Sequence, residues 1–187
     1  MPVERMLLKG CLHTHTTCSD GKMTPQEVAD AYRERGYDFI AFTDHDYLIK
    51  PRSYEMYRAV RSDLIIFVGI ELTVFVKGYI HVSRITGESE QLHIFNHLGE
   101  YDLTIGQVMD RIGEVSSMYP LDAVEVTSKG FRNSEYEIAE IPYPKIASDD
   151  SHTPVGIGRA WIEMDAERSR DPIIRAVKRG EFWNCFL

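Results

Sequence analysis

Three side chains of metal-binding type lie close together near the start of the chain. His13 and His15 are separated by one residue, and Asp20 follows within a Ser19-Asp20-Gly21 turn sequence. Successive side chains of a β-strand point to opposite faces, so a single ion could accept both imidazoles. This pattern indicates a hydrolytic metal site, although two histidines of a partly buried strand can instead be bonded to neighbouring backbone. The pair alone leaves both interpretations open.

All seven histidines follow a common rule, because each of them lies within or just after a predicted strand. They are His13, His15, His45, His81, His93, His97 and His152. In parallel α/β folds and β/α barrels, side chains at the C-terminal ends of strands converge on one site. Taken singly, His45 could belong to a surface turn and Glu71 to a solvated strand end. Taken together with Asp150-x-His152, these strand-ending groups predict one shared site.

The elements that must position these residues alternate between strand-like and helix-like segments. Alternation of this kind favours a parallel α/β sheet or barrel. Capping boxes begin helices at Thr24 and Thr104, and Asp171-Pro172 begins the last helix. A further helix is predicted over 51–62. The predicted strands cover 6–8, 38–42, 64–70, 80–85, 92–96, 124–127 and 146–147.

Composition limits the classes of protein to consider. With 187 residues, 43% of them hydrophobic, the chain suits one domain over 1–187. Its longest apolar run, 64–68, is far too short to span a membrane, and 1–9 lack a secretory pattern, so a soluble cytoplasmic protein is expected. A net charge of −8 argues against bulk binding to nucleic acid or anionic membranes. Three cysteines at unrelated spacings predict free thiols, and the oligomeric state stays open.

The chain resembles the polymerase and histidinol phosphatase superfamily, PHP, over nearly all of 7–183. The matching motifs are His13-Thr14-His15, Ser19-Asp20-Gly21, Thr43-Asp44-His45, Gly69-Ile70-Glu71, His81, Phe95-Asn96-His97, Ser148-Asp149-Asp150-Ser151-His152 and the tail Ala176–Phe182. That family has a distorted barrel of seven strands and a trinuclear metal centre. The resemblance therefore implies an α/β protein with a distorted, TIM-like (β/α)7 barrel in a single domain.

The resemblance also implies a set of nine metal ligands. One ion would be held by His13, His15, Glu71 and Asp150, with Glu71 bridging to a second ion. The second ion would be held by His81 and His97, and a third by Asp20, His45 and His152. Alignment of the motif favours His97, although Leu98 replaces a frequent proline and His93 lies close by in sequence. Cys11 stands where the family more often has aspartate or asparagine.

These ligands suggest the chemistry of a phosphoesterase. Imidazole and carboxylate groups suit zinc, manganese or iron, so up to three divalent ions of unassigned identity are expected. The hypothesis is hydrolysis of a phosphate mono- or diester of a small substrate by a metal-activated hydroxide. Asp44, Asp46 and Asp149 are expected to orient imidazoles, and Arg159 to bind substrate phosphate. No side chain is assigned as the general acid.

Two other classes of function remain open at this point. The same ions could serve an amidohydrolase-like C–N hydrolase, because an activated hydroxide also attacks carbonyl carbon. The chain could also be a non-catalytic metal-binding module that acts through partners, although every expected ligand position is filled. The interval from His97 to Asp150 has room for a helix, a strand and a second helix but no inserted domain, which predicts an open mouth.

Overall fold

A nine-stranded sheet curls into a nearly closed barrel in the computed structural model, which describes residues 5–187. Its strands are β1 (Arg5–Thr14), β2 (Phe39–Phe42), β3 (Ile65–Phe75), β4 (Tyr79–Thr86), β5 (Gln91–Phe95), β6 (Ala123–Glu125), β9 (Lys145–Ile146), β10 (Ala160–Glu167) and β11 (Trp183–Phe186). A separate hairpin consists of β7 (Thr127–Ser128) and β8 (Phe131–Arg132). The α-helices are α1 (Pro25–Glu34), α2 (Ser53–Ala59), α3 (Ile105–Met118) and α4 (Arg170–Lys178).

The barrel wall is formed by seven of these strands in the order β1, β2, β3, β4, β5, β6 and β9. A parallel bridge between Thr14 and Ser151 brings the chain beyond β9 back beside β1. The wall is distorted because β4 runs antiparallel to both β3 and β5, whereas the other neighbours are parallel. Antiparallel β10 and β11 extend the sheet beyond β1. The predicted distorted α/β barrel is therefore confirmed.

Local sequence signals set the helix ends. The Thr24 hydroxyl accepts from the Glu27 amide while the Glu27 carboxylate accepts from the Thr24 amide, so the predicted capping box begins α1. The capping box at Thr104 likewise begins α3. Helix α2 is shorter than the predicted 51–62. None of the helices among residues 5–187 has the length and apolar run needed to cross a bilayer.

Asp171 has a different role from the predicted helix start, since α4 begins at Arg170 after an N-cap at Ser169. Its carboxylate accepts from the backbone amides of Glu88 and Ser89, at 2.7 and 3.0 Å. These hydrogen bonds hold the turn between β4 and β5 against the first turn of α4. The Ser89 hydroxyl also donates to this carboxylate. That hydrogen bond and the amide hydrogen bonds stabilise the charged form, so they lower the pKa of Asp171 to about 2.

Three features of the chain differ from the prediction. Strand β3 continues past Glu71 to Phe75, because antiparallel β4 pairs with it from Val68 to Phe75. The predicted second helix between His97 and Asp150 is instead the β7–β8 hairpin followed by a 3-10 turn at Ser134–Tyr136. Strands β10 and β11 were not predicted. Strand β10 pairs with β1 from a distant part of the chain. The other two differences are antiparallel pairings of neighbouring segments, which single-segment periodicity does not specify either.

The hydrophobic core closes one end of the barrel. Side chains such as Leu8, Phe39, Phe67 and Ile94 fill its interior and leave the opposite end to polar residues. Outside the wall, α3 packs against β4 and β5, and α1 packs against β2. All three cysteines are free, as predicted, and Cys11 and Cys18 are buried. The packed interior gives the strand ends at the polar end a rigid support.

Candidate metal centre

The opening histidine pair owes its orientation to an irregularity in β1. Leu8 and Leu12 point into the barrel core, so strict alternation would place His13 on the outer face. The pairing of β1 with β2 shifts register between Cys11 and Thr14, and the irregularity turns His13 inward. His13 Nε2 and His15 Nε2 then lie 3.1 Å apart, and both rings are buried. Both imidazoles thus face one site.

Two carboxylates meet this pair. Nε2 of His13 lies 3.3 Å from Glu71 Oε1 and 3.4 Å from Asp150 Oδ1. Nε2 of His15 lies 3.3 Å from Glu71 Oε2 and 3.2 Å from Asp150 Oδ1. Four ligand-type groups from β1, β3 and the segment after β9 therefore converge. This is the set that the family resemblance implied for the first ion.

A second group forms around the other side of Glu71. Glu71 Oε1 lies 3.3 Å from His81 Nδ1 and 3.1 Å from His97 Nε2, and these two nitrogens are 3.4 Å apart. The side-chain amide of Asn96 donates to the same oxygen at 2.7 Å and to Ser83 Oγ at 2.9 Å. Asn96 therefore fixes the orientation of a carboxylate that faces two groups of imidazoles.

The third group lies at the more exposed edge. Asp20 Oδ2 lies 3.7 Å from His45 Nε2 and 3.5 Å from His152 Nε2. His15 Nδ1 also approaches Asp20 Oδ1 at 3.6 Å, so four residues, His15 included, could hold an ion there. His45 Nδ1 lies 2.9 Å from Glu71 Oε2 as well. The three groups are thus contiguous, with His15, His45 and Glu71 between them.

His97, rather than His93, belongs to the cluster. On β5, Leu92 and Ile94 fill the barrel core, so His93 points outward, stacks on Tyr119 and lies 3.9 Å from Asp122. His97 lies beyond the strand end and adopts a left-handed backbone, with φ +30°, that directs its ring back to Glu71. Asp150 also has positive φ, +45°. Such strained residues concentrate at functional sites.

Several buried atoms of the cluster lack a hydrogen-bond partner within residues 5–187. They are His15 Nδ1, His45 Nδ1, Glu71 Oε2, His97 Nδ1 and Asp150 Oδ1. Buried polar atoms are normally paired, so this concentration needs an explanation. Nitrogen and oxygen donors that approach one another without hydrogen-bond alignment are suited to sharing cations. The residues present therefore fit divalent metal ions.

Glu125 is a functional residue that the sequence analysis missed. Its buried Oε2 accepts from His13 Nδ1 at 3.0 Å and from the His97 backbone amide at 2.8 Å. Its Oε1 accepts from the hydroxyls of Ser148 and Thr127. One carboxylate thus holds two predicted ligands in place from behind. A lone acidic residue within the apolar sequence Ala123-Val124-Glu125-Val126 was the available signal.

The carboxylates predicted to orient imidazoles have other partners, and this part of the prediction is wrong. Asp44 accepts from Thr16, Ser19 and Tyr57, which fixes the loop that carries Asp20. Asp46 accepts from the amides of Tyr47 and Thr73. Asp149 accepts from Tyr32, Cys11 and the Gly158 amide. Among residues 5–187, no hydrogen bond joins any of these three to an imidazole. Their sequence positions next to ligands direct the side chains away from the cluster.

Burial and charge act in opposite directions in this site. Burial alone would lower the pKa of His13 and His15, but the carboxylates outweigh it and raise the pKa of His15 to about 9. Burial would raise the pKa of Glu71, but the surrounding imidazoles hold it well below its usual range. Without cations, protons on the histidines balance the carboxylates. Metal binding must therefore displace protons and strengthen as pH rises.

A cleft of about 360 Å³ opens beside the third group, lined by Asp20, Lys129, Asp150, His152 and Arg159 among others. Arg159 Nη1 donates to the Lys129 carbonyl at 3.3 Å, and the guanidinium lies over the Phe131 ring. Arg132 forms a double hydrogen bond with Glu137 instead. Arg159 therefore lines the cleft beside the third group, while its predicted contact with substrate phosphate stays a prediction.

Comparisons with known proteins agree with this arrangement. Residues 12–138 match the family described as PHP domain, and 132–182 match the family described as PHP-associated. Over 48 residues the chain is 42% identical to DNA polymerase/3'-5' exonuclease PolX of Bacillus subtilis (strain 168), which is 26% of this chain and 8% of that protein.

Solved structures share the fold. A two-domain protein from Bacteroides vulgatus ATCC 8482, described as containing a predicted PHP-like metal-dependent phosphoesterase, has a TM-score of 0.77 at 21% identity. The match covers 97% of this chain and 65% of that one. An amidohydrolase from Chromobacterium violaceum with bound SO4 and no metal has a TM-score of 0.69 at 15% identity, with 93% and 97% covered. At these identities the likeness concerns the fold alone.

Proposed function

The chain belongs to the PHP domain family, and we propose that it hydrolyses small phosphate esters at a centre of three divalent ions. One observation carries the proposal. Side chains from both ends of the sequence converge as three contiguous groups of ligand type, and their buried nitrogen and oxygen atoms lack other partners. Such a donor set has little structural use without cations, because each unpaired buried group costs about 1–3 kcal/mol.

The three groups divide the ligands among the proposed ions. The first ion would be held by His13, His15, Glu71 and Asp150. The second ion would be held by the second group, which contains His81 and His97, and the third ion by the third group, which contains Asp20, His45 and His152. Zinc, manganese and iron all suit these donors. Bound ions of this kind activate water and offset charge on a phosphoryl group.

The chain's own residues supply position and charge. The Glu71 carboxylate faces the first and second groups and accepts a hydrogen bond from the Asn96 amide. Glu125 fixes His13 by accepting a hydrogen bond from the Nδ1 of its ring. Arg159 at the mouth would bind non-transferred phosphate oxygens, for which a guanidinium offers two parallel donors. The chain carries a net charge of −8, so the proposed ions and Arg159 would form a local positive region that attracts a small anion.

A direct test compares three classes of ester and amide. Protein stripped with a chelator and reloaded with zinc, manganese or iron is assayed with p-nitrophenyl phosphate, bis(p-nitrophenyl) phosphate and N-acyl amino acids. Phosphate ester hydrolysis that depends on reloading is expected. Activity confined to the amides would replace the proposal with a C–N hydrolase, and failure to take up any of the metals would refute it.

Substitution of the opening pair locates the chemistry. His13→Ala combined with His15→Ala removes one complete side of the first group and should abolish hydrolysis while the circular dichroism spectrum is retained. Asp46→Asn is a matched control, because Asp46 contacts only backbone amides of the neighbouring loop and strand. Retained hydrolysis in the double variant would place the reaction elsewhere.

A further inference from the structure

Two exposed aromatic rings continue the ladder of side chains that carries the metal ligands. Strands β3 and β4 pair Glu71 with Ser83, Thr73 with His81, and Phe75 with Tyr79. Since residues two apart share a face, Phe75 and Tyr79 lie on the same face as Glu71 and His81. Tyr79 is one step of two residues, about 7 Å, beyond His81.

These rings have no part in the hydrophobic core. Phe75 and Tyr79 are 70% and 72% exposed, and their ring centroids lie 5.3 Å apart in an edge-to-face arrangement. The alternate side chains Val74 and Val76 point to the opposite face of the sheet and pack in the cluster that includes α3. The structure therefore gives these rings no packing role, and they stand at the rim of the metal cluster.

The hairpin tip that carries the rings is firmly held. Arg111 of α3 donates to the Lys77 carbonyl at 2.7 Å, and Lys77 Nζ forms an ion pair with Glu114 at 2.5 Å. Both contacts join the β3–β4 turn to helix α3. A surface fixed in this way loses little conformational freedom when a ligand binds to it.

A third aromatic residue extends the same rim. Tyr47 is 63% exposed, and its ring lies 5.3 Å from the ring of His45, which in turn lies 5.1 Å from His81. The amide of Thr73 donates to Asp46 and so fastens the Tyr47 turn to β3. Aromatic surface thus borders the cluster on the side of His45 and His81, whereas Lys129 and Arg159 line the cleft beside His152.

We propose that Phe75 and Tyr79, with Tyr47 beside them, stack the base of a nucleotide whose phosphate lies at the metal cluster. This inference rests on the proposed phosphoesterase function and names the class of substrate. A ribose unit is a spacer of suitable length between a phosphate at His81 and a flat ring one ladder step further out, about 7 Å away. Every nucleobase offers a π-face to aromatic side chains, so the site selects a base without selecting its identity. The acidic chain favours a mononucleotide over a long polyanion.

The kinetic test compares AMP with ribose 5-phosphate, which has the same sugar and phosphate but no base. Phe75→Ala combined with Tyr79→Ala should lower kcat/KM for AMP about tenfold or more and leave ribose 5-phosphate unchanged. Phe75→Trp should retain the preference for AMP. Tyr54→Ala removes another exposed aromatic side chain, on α2, and is the matched control.

A binding test does not depend on hydrolysis. Ligand-detected NMR with metal-free protein should show contact with adenosine but not with ribose, and the double variant should lose the adenosine signal. No adenosine binding to the unaltered chain, or equal losses for AMP and ribose 5-phosphate, would overturn the stacking site. Adenosine binding without hydrolysis of any phosphate ester would instead sustain the stacking site and refute the phosphoesterase function. Self-association that is lost in the double variant would assign the rings to contact between copies and overturn the inference.

Discussion

Substitution of Glu125 by glutamine isolates the electrostatic contribution of a single buried carboxylate. Glu125 accepts from two N–H donors, His13 Nδ1 and the His97 amide, and from the hydroxyls of Ser148 and Thr127. A glutamine oxygen can keep both N–H donors, and its NH2 group can face hydroxyls, which rotate to accept. Glu125→Gln should therefore fold normally and lose only the negative charge behind His13.

The expected magnitude follows from that loss. Removing a group that orients a metal ligand typically costs about 10–100-fold in metal affinity, which is roughly 1.4–2.7 kcal/mol. Glu125→Ala should carry an additional cost in the stability of the fold, because it leaves two buried N–H donors unpaired at about 1–3 kcal/mol each. That additional cost should be visible in the free energy of unfolding of the metal-free protein, where Glu125→Gln should change little.

Competition titration against a chromophoric chelator measures the metal affinity, and urea unfolding measures stability. Asp46→Asn again provides the matched control, since Asp46 lies beside the cluster but binds only backbone amides. The reasoning fails if Glu125→Gln binds zinc or manganese as tightly as the unaltered chain. It also fails if the Asp46 variant loses as much affinity, because proximity of charge rather than contact with His13 would then decide.

Three further outcomes are expected. His97→Ala should lose metal from the second group, because it should lower the metal affinity of that group by more than about 100-fold. His93→Asn should keep the full metal content by elemental analysis, since the His93 ring points outward and stacks on Tyr119. The lowered pKa of Asp171 stabilises the fold above about pH 4, and this contribution is lost as pH falls through about 2. Asp171→Asn should therefore be less stable than the unaltered chain in urea at pH 7, and the difference should close only below about pH 2. Gly10→Ala should lower the free energy of unfolding by about 1–3 kcal/mol, because its methyl group would collide with the buried Phe39 ring; unchanged stability would mean that the core can yield there.

The sequence determined the features that depend on near neighbours. The capping boxes at Thr24 and Thr104 begin helices in the structure because each box is closed by residues three positions apart. Strand periodicity located β2 and the start of β3 for the same reason. The motifs also identified the nine ligand-type residues that the structure brings together, since the types of side chain that bind metals are few.

Only the tertiary structure decided how these side chains are aimed. The irregularity in β1 turns His13 away from the outer face, and left-handed backbone at His97 and Asp150 directs both side chains into the cluster. Antiparallel pairing with β4 placed Glu71 within a strand rather than at its end. The irregularity arises where β1 pairs with β2, and the strand continues around Glu71 because β3 pairs with β4, so these features depend on how strands pair rather than on local periodicity.

The orienting carboxylates show the difference most clearly. Sequence adjacency suggested Asp44, Asp46 and Asp149, because each stands next to a ligand. In the structure, the residue that orients His13 by a hydrogen bond is Glu125. Glu125 lies on β6, 112 residues further along the chain. Adjacent residues on an extended chain point in different directions, whereas residues from separate strands can face one another. The sequence thus determined which groups could bind metal, and the closure of the barrel decided which groups hold them in place.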